Sequence, residues 1–463
     1  MKKSLFILLI NLLLLTSCGK DRSGEYYALV QDCQWIDETM MQNYLWNDQM
    51  TKLKQKDYFG APEDFLKKRV WNKALDGKGD RFSRIIEKAT VPTREASNGM
   101  SSYGFEFELI TDPLGATQHN LARVLLVYPE SPANEAGLKR GDWIAEVNGE
   151  QLTMSNSQSL VSGGAIRLTR KAIVGNDENR TWETTDTLSL TASRFVEKNP
   201  FFVAETLELE GHQVAYLMYN QFTTGPNDLP SETIYGEQMI QLFSQFKAVQ
   251  PDAFILDLRF NPGGYLSCAV QLASLLAPVS ALGNECFQLK FNETTDPQIQ
   301  SIGFDASMRE QNLNLNKLYV LVSPSTASAS EAVINGLIPY IGKDNIILIG
   351  EKTYGKPVAT NVFKNEELDF DLQLVTAYVL NSKGEANYNA GMSPTYKVTE
   401  PDVTAPLFPL GDPAEYLLNY ALQLITMGTP PETDSQAPTS NTRLLYRSYD
   451  VHEQQNGLKL NLN

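Results

Sequence analysis

Four short apolar runs stand out in the second half of the chain: Val214-Ala215-Tyr216-Leu217-Met218, Ala253-Phe254-Ile255-Leu256-Asp257-Leu258, Leu318-Tyr319-Val320-Leu321-Val322 and Ile346-Ile347-Leu348-Ile349. Runs of this length without polar alternation predict buried strands. Helical spacing lies between them, at 232–249 and 266–276. It returns after residue 328, where Val333, Leu337, Ile338 and Ile341 fall on one face, and again near 413–425. Strands alternating with helices predict an α/β domain over 196–428.

The first part of the chain reads differently. From about Glu25 to Ile86 the spacing is helical: Ile36, Met40 and Tyr44 share a face, and Pro62 with Glu63-Asp64 opens a helix carrying Leu66, Val70 and Ala74. Trp35, Tyr44, Trp46 and Trp71 suit its core. With the polar tether from Gly19 to Gly24, this predicts an N-terminal helical domain over 18–97.

Short strands and turns take over at 98–195. Arg123-Val124-Leu125-Leu126-Val127 is a strand, Gly137 ends a short helix, Gly141-Asp142 turns the chain, and Asn148-Gly149 suits a hairpin. With Tyr103-Gly104-Phe105-Glu106-Phe107 ahead of it, this pattern resembles a PDZ domain. The resemblance implies that a peptide adds as a strand there, through Tyr103, Gly104, Phe105 and Phe107, with its terminal carboxylate on backbone amides near Gly104. A PDZ-shaped spacer that binds nothing is the other reading. Residues 429–463 open with Pro430-Pro431 and are mostly polar, which predicts a flexible tail.

Charge and composition narrow the partners. The 463 residues carry a net charge of −16, which argues against nucleic acid, whose phosphates need a basic surface. Residues 1–17 read as a lipoprotein signal peptide: Lys2-Lys3, an apolar core from Leu5 to Leu15, then Leu15-Thr16-Ser17-Cys18, which resembles a bacterial lipobox. Cys18 is then the expected lipidation site. The mature protein is expected to be tethered to membrane in a bacterial cell envelope, on the periplasmic face of the outer membrane. Cys33, Cys268 and Cys286 show no metal spacing and are expected to be buried thiols, rather than a Cys268–Cys286 disulfide.

The candidate chemistry sits at two strand ends. Ala327-Ser328-Ala329-Ser330-Glu331 follows one apolar strand and Gly350-Glu351-Lys352-Thr353-Tyr354-Gly355-Lys356 begins at the end of the next. Only His119, His212 and His452 are present, none at the end of a core strand, so a Ser-His-Asp arrangement or a zinc hydrolase is poorly supported. A lysine is able to replace histidine as base where burial disfavours its ammonium form. Either serine also suits a helix N-cap, which is the bland reading.

Taken with Asp257-Leu258-Arg259-Phe260-Asn261-Pro262-Gly263-Gly264 and Gly391-Met392-Ser393-Pro394, these motifs resemble the C-terminal processing peptidases of family S41. The helical segment resembles the N-terminal domain of lipoprotein members from Bacteroides-like bacteria. The resemblance implies a multidomain α+β protein with a crotonase/ClpP-like α/β core and no cofactor or metal. It further implies a serine endopeptidase acting on protein or peptide substrates through a Ser328–Lys356 dyad and an acyl-enzyme. Backbone amides of Gly263 or Gly264 and of Ala329 are the expected oxyanion donors. The family commonly places a glutamine four residues after the lysine; Thr360 stands there, with Asn361 next. That departure keeps open the alternative of a catalytically degenerate peptide-binding envelope lipoprotein.

Overall fold

A computed structural model describes residues 23–71, 79–88, 101–176, 179–399, 403–431 and 442–449. Residues 1–17, expected as a signal peptide, and Cys18 lie outside them. The chain divides into two compact units, one of Met1–Lys88 with Val362–Leu374, the other of Ala89–Asn361 with Val375–Asn463. Among the described residues no helix is long and apolar enough to cross a membrane.

In the first unit, the helix Ser23–Asn43 buries Ile36 and Met40, with Tyr44 just beyond its end, as the spacing predicts. A second helix, Pro62–Arg69, starts at the expected proline and has Glu63 and Asp64 in its first turn. Asp37 joins the two helices by accepting from Arg69 Nε at 2.6 Å and from the Tyr58 hydroxyl. The helical reading fails at its end. Arg84–Glu87 is a strand, paired antiparallel with residues 370–373. Ala74 lies outside the described residues.

Within the second unit, Phe105–Thr111, Asn120–Val127, Trp143–Val147, Ile166–Val174 and Thr181–Leu190 form one sheet, inside the stretch read as short strands and turns. Asn148 and Gly149 take φ of 55° and 84°, the two left-handed residues a tight hairpin needs. Tyr103, Phe105 and Phe107 are buried in its core with Leu109, Val124 and Leu138.

The α/β core is built on a six-stranded sheet. Its central strands His212–Tyr219, Ala253–Asp257, Leu318–Val322 and Ile346–Gly350 run parallel. Alternate residues face opposite layers. Leu217, Leu256, Val320 and Leu348 meet the helices Ile234–Val249, Leu266–Leu276 and Ala329–Ile341. Tyr216, Ile255, Leu321 and Ile349 meet the helix Tyr416–Met427. Cover on both faces explains why these strands carry no polar alternation. Cys33, Cys268 and Cys286 are free, buried thiols, as expected.

One expectation is corrected in the tail. Leu444–Arg447 is a strand, paired antiparallel with Phe105–Thr111, and Ser448 is buried. The tail's polar composition hid it, because an edge strand gains most of its stabilisation from a ladder that local sequence does not record.

Candidate active site

The strand Leu318–Val322 ends in a tight turn whose hydroxyls and amides bind the neighbouring strand end. Thr326 Oγ1 donates to the Leu258 carbonyl at 2.8 Å, and the Ala327 N–H donates to the Asn261 carbonyl at 3.1 Å. Ser328 follows at φ 59° and ψ −111°, and the helix Ala329–Ile341 begins at once. Positive φ costs a non-glycine residue on the order of 1–3 kcal/mol and persists only where the surroundings impose it. Strand–turn–helix geometry with a strained serine at the turn is how several hydrolases hold a nucleophile.

Glu331, one helical turn on, imposes much of that geometry. Its Oε2 accepts the backbone N–H of Ser328 at 3.0 Å and that of Lys356 at 2.8 Å. Its Oε1 accepts the Gly355 N–H at 2.8 Å and the Thr353 hydroxyl at 2.5 Å. The amides of Ser328 and Lys356 therefore lie within two hydrogen bonds of each other. Ser328 is 1% exposed and Lys356 is 7% exposed. Burial pushes the Glu331 carboxyl above its ordinary value, against four hydrogen bonds that favour its ionised form.

Glycines let the other motifs close on this centre. A Cβ on Gly263 would lie 2.8 Å from the Ser328 Cβ and 3.0 Å from the Ala329 nitrogen. Gly264 is equally constrained, its Cβ position falling 1.9 Å from the Phe222 carbonyl oxygen. The Gly263 N–H donates to Asn261 Oδ1 at 2.9 Å, which leaves Gly264 as the glycine of the pair whose amide is not used there. Ser330 Oγ donates to the Asn261 carbonyl at 3.0 Å. The late motif arrives through Met392, whose N–H donates to Thr353 Oγ1 at 2.7 Å. Thr360 is buried on the strand Val358–Phe363 that follows Lys356.

Behind the Asp257-Leu258-Arg259 motif lies a buried ion-pair network. Arg259 bonds Asp257 at 2.7 Å and Glu415 at 2.7 Å, and Arg140 of the small β-domain approaches Glu415 at 3.5 Å. Burial alone would raise the Glu415 carboxyl, but the two guanidiniums hold it below its ordinary value. The same carboxylate caps the helix Tyr416–Met427 by accepting the Leu418 N–H at 3.0 Å.

Around Tyr103 and Gly104 the structure is tight. A Cβ at Gly104 would lie 2.1 Å from the Ser131 Cβ, and the Gly104 N–H donates to Ser102 Oγ at 3.2 Å. Phe107 contacts the tail: its ring meets Tyr446 edge-on with centroids 5.8 Å apart.

Read as sequence, the motif Ala327-Ser328-Ala329-Ser330-Glu331 assigns no role to Glu331. The available signal was a serine followed three residues later by glutamate, the spacing of a capping box. Glu415 carries no signal for its ion pairs, since Arg259 and Arg140 lie far away in the chain.

Residues 213–398 match the family model for peptidase family S41, residues 33–84 the peptidase S41 N-terminal domain, and residues 123–169 a PDZ domain. A crystal structure of a candidate S41 protease from Bacteroides fragilis matches with a TM-score of 0.76 and 33% identity, covering 85% of this chain and 97% of that one. A carboxyl-terminal-processing protease of Picosynechococcus is 26% identical over 293 residues, 62% of this chain and 62% of that protein. The carboxy-terminal processing protease CtpA of Bacillus subtilis is 26% identical over 360 residues, 75% of this chain and 68% of that protein.

Proposed function

The chain belongs to peptidase family S41, and from that premise we propose that it is a serine endopeptidase of the carboxy-terminal processing type. The observation that carries the reading is the shared carboxylate: Glu331 holds the backbones of Ser328 and Lys356 to one oxygen atom.

In this reading the Ser328 hydroxyl attacks the scissile carbonyl as its proton passes to the neutral Lys356 amine. The tetrahedral oxyanion is received by the N–H groups of Gly264 and Ala329. Collapse expels the leaving amine, which takes the proton back from Lys356 and leaves an acyl-enzyme on Ser328. Water then attacks the ester with Lys356 again as base, and Ser328 is regenerated. Thr360 or Asn361 stands in for the family's usual glutamine in orienting the lysine. The PDZ domain receives an extended substrate peptide beside Phe105–Thr111, its C-terminal end toward Gly104. Cys18 carries the lipid that anchors the enzyme in the envelope, on the periplasmic face of the outer membrane. Mass spectrometry should find acylated Cys18 as the mature N-terminus; an unmodified N-terminus beyond it overturns the anchor.

Cleavage of casein tests the dyad. Ser328→Ala and Lys356→Ala should each lower the rate by at least roughly 10³-fold, with the double variant little worse, because the pair acts as a unit. Lys352→Ala, at an exposed position, should remain active. An inactive Lys352→Ala beside an active Lys356→Ala would move the base to Lys352. An unmutated chain that neither cleaves casein nor reacts at Ser328 with serine-directed reagents would favour the degenerate peptide-binding alternative.

A further inference from the structure

The strand edge at which the PDZ domain would receive a peptide is already paired. Leu444 lies opposite Ile110, Tyr446 opposite Leu109 and Arg447 opposite Glu108, in antiparallel register. This register runs the tail toward Gly104, the polarity an added peptide would have. Ladder-like contacts extend past the strand, with the Thr111 N–H donating to the Arg443 carbonyl at 3.0 Å.

The side chains also behave as a ligand's would. Tyr446 sets its ring against Phe107 and its hydroxyl 2.9 Å from Ser157 Oγ. Ser448 Oγ accepts the Phe107 N–H at 2.9 Å and donates to Glu106 Oε2 at 2.6 Å. Yet the fit is not that of a core strand: Leu444 is 42% exposed, and Leu445 and Tyr446 pack only on the margin of the domain's apolar cluster. One residue beyond Ser448, Tyr449 lies edge-on to Phe260 at 5.4 Å. The segment Thr442–Tyr449 thus borders a cavity of about 360 Å³ that Arg259 and Phe260 also line.

We propose that the Glu106–Thr111 edge is a receptor for an internal, tyrosine-bearing strand, and that Arg443–Tyr449 of the same chain is its resident ligand. A substrate peptide then gains this edge only by displacing the tail. The proposal rests on the reading of the domain as a substrate receiver. Its physical basis is tethering. Residues 432–441 join the segment to the end of the α/β core, and a ligand on so short a linker acts at an effective concentration of order millimolar. It therefore suppresses a weak external competitor while leaving the edge exchangeable. Release of the tail would also remove Tyr449 from Phe260, three residues before Gly263.

The test measures binding, so it does not depend on catalysis. A fluorescent, N-acetylated and C-amidated peptide of residues 442–449 is titrated by anisotropy against the full chain carrying Ser328→Ala. The same titration is made on that chain with Tyr446→Ala added, and on one ending at Pro431. Both altered chains should bind the peptide at least about tenfold more tightly than the Ser328→Ala chain. Equal affinity for the full chain and Tyr446→Ala, with unchanged thermal melting, overturns the proposal and makes the strand a fixed part of the domain. Absence of binding to every variant overturns it as well. If the shortened chain melts early, the Tyr446→Ala chain decides alone. Failure of the peptidase reading would appear separately, as absence of casein cleavage by the unmutated chain.

Discussion

Two buried glutamates do opposite things in the α/β core. Glu331 sits among neutral donors: three backbone N–H groups and a threonine hydroxyl. Glu415 faces two guanidiniums, Arg259 and Arg140. Burial raises both carboxyls, and only the cationic neighbours reverse the sign, so Glu331 ends above its ordinary value and Glu415 below it. The difference separates two tasks. The Glu331 region is a hub of directional hydrogen bonds that fixes where the Ser328 and Lys356 backbones lie. The Glu415 region ties the end of the Ala253–Asp257 strand to a helix and to the PDZ domain by charge.

Glu331→Ala should break the comparison hardest. It leaves three buried amides and a hydroxyl without an acceptor, at about 1–3 kcal/mol for each group that water cannot reach. A loss on the order of 3–5 kcal/mol in urea unfolding is expected, with kcat falling further than KM changes. Glu331→Gln should be milder but still damaging, since its NH₂ cannot accept from the two donors that share that oxygen. Wild-type stability and kcat in Glu331→Ala would show that the hub does not set the site.

Glu415→Gln should cost less, about 1–3 kcal/mol, because Asp257 still pairs with Arg259 and the glutamine oxygen still caps the helix. Its activity loss should be smaller than that of Glu331→Ala. The reverse order would make the charged network, and not the hub, the determinant of site geometry.

The smallest effect is the sharpest test. Glu415 has a lowered native pKa, so its stabilisation is full above its ordinary value of 4.5 and is lost as pH falls through the lowered value. Glu331 has a raised native pKa, so its contribution is full below 4.5 and is lost as pH rises through the raised value. Urea melts across the acid range should therefore give wild-type-minus-Gln differences of opposite slope for the two sites. Slopes of the same sign would show that the neutral and cationic environments do not act as assigned.

Much of this protein could be read along the chain. Unbroken apolar runs marked the parallel strands because both of their faces are covered, and the spacing of Ile36, Met40 and Tyr44 marked a helix because one of its faces is. Candidate residues such as Ser328, Lys356 and Gly263 stand out along the chain because their chemistry or backbone freedom is carried by residue type at short spacing. Three features were decided only in three dimensions. Arg84–Glu87 looked helical and became a strand because its partner lies at 370–373. Leu444–Arg447 looked loose and became a strand because the edge of Phe105–Thr111 supplies its ladder. Glu331 became the hub of the site because Thr353, Gly355 and Lys356 return to it across a helix and a strand. Burial of a face leaves a periodic trace in local sequence. A hydrogen bond to a residue tens or hundreds of positions away leaves none, since either partner alone is compatible with many others.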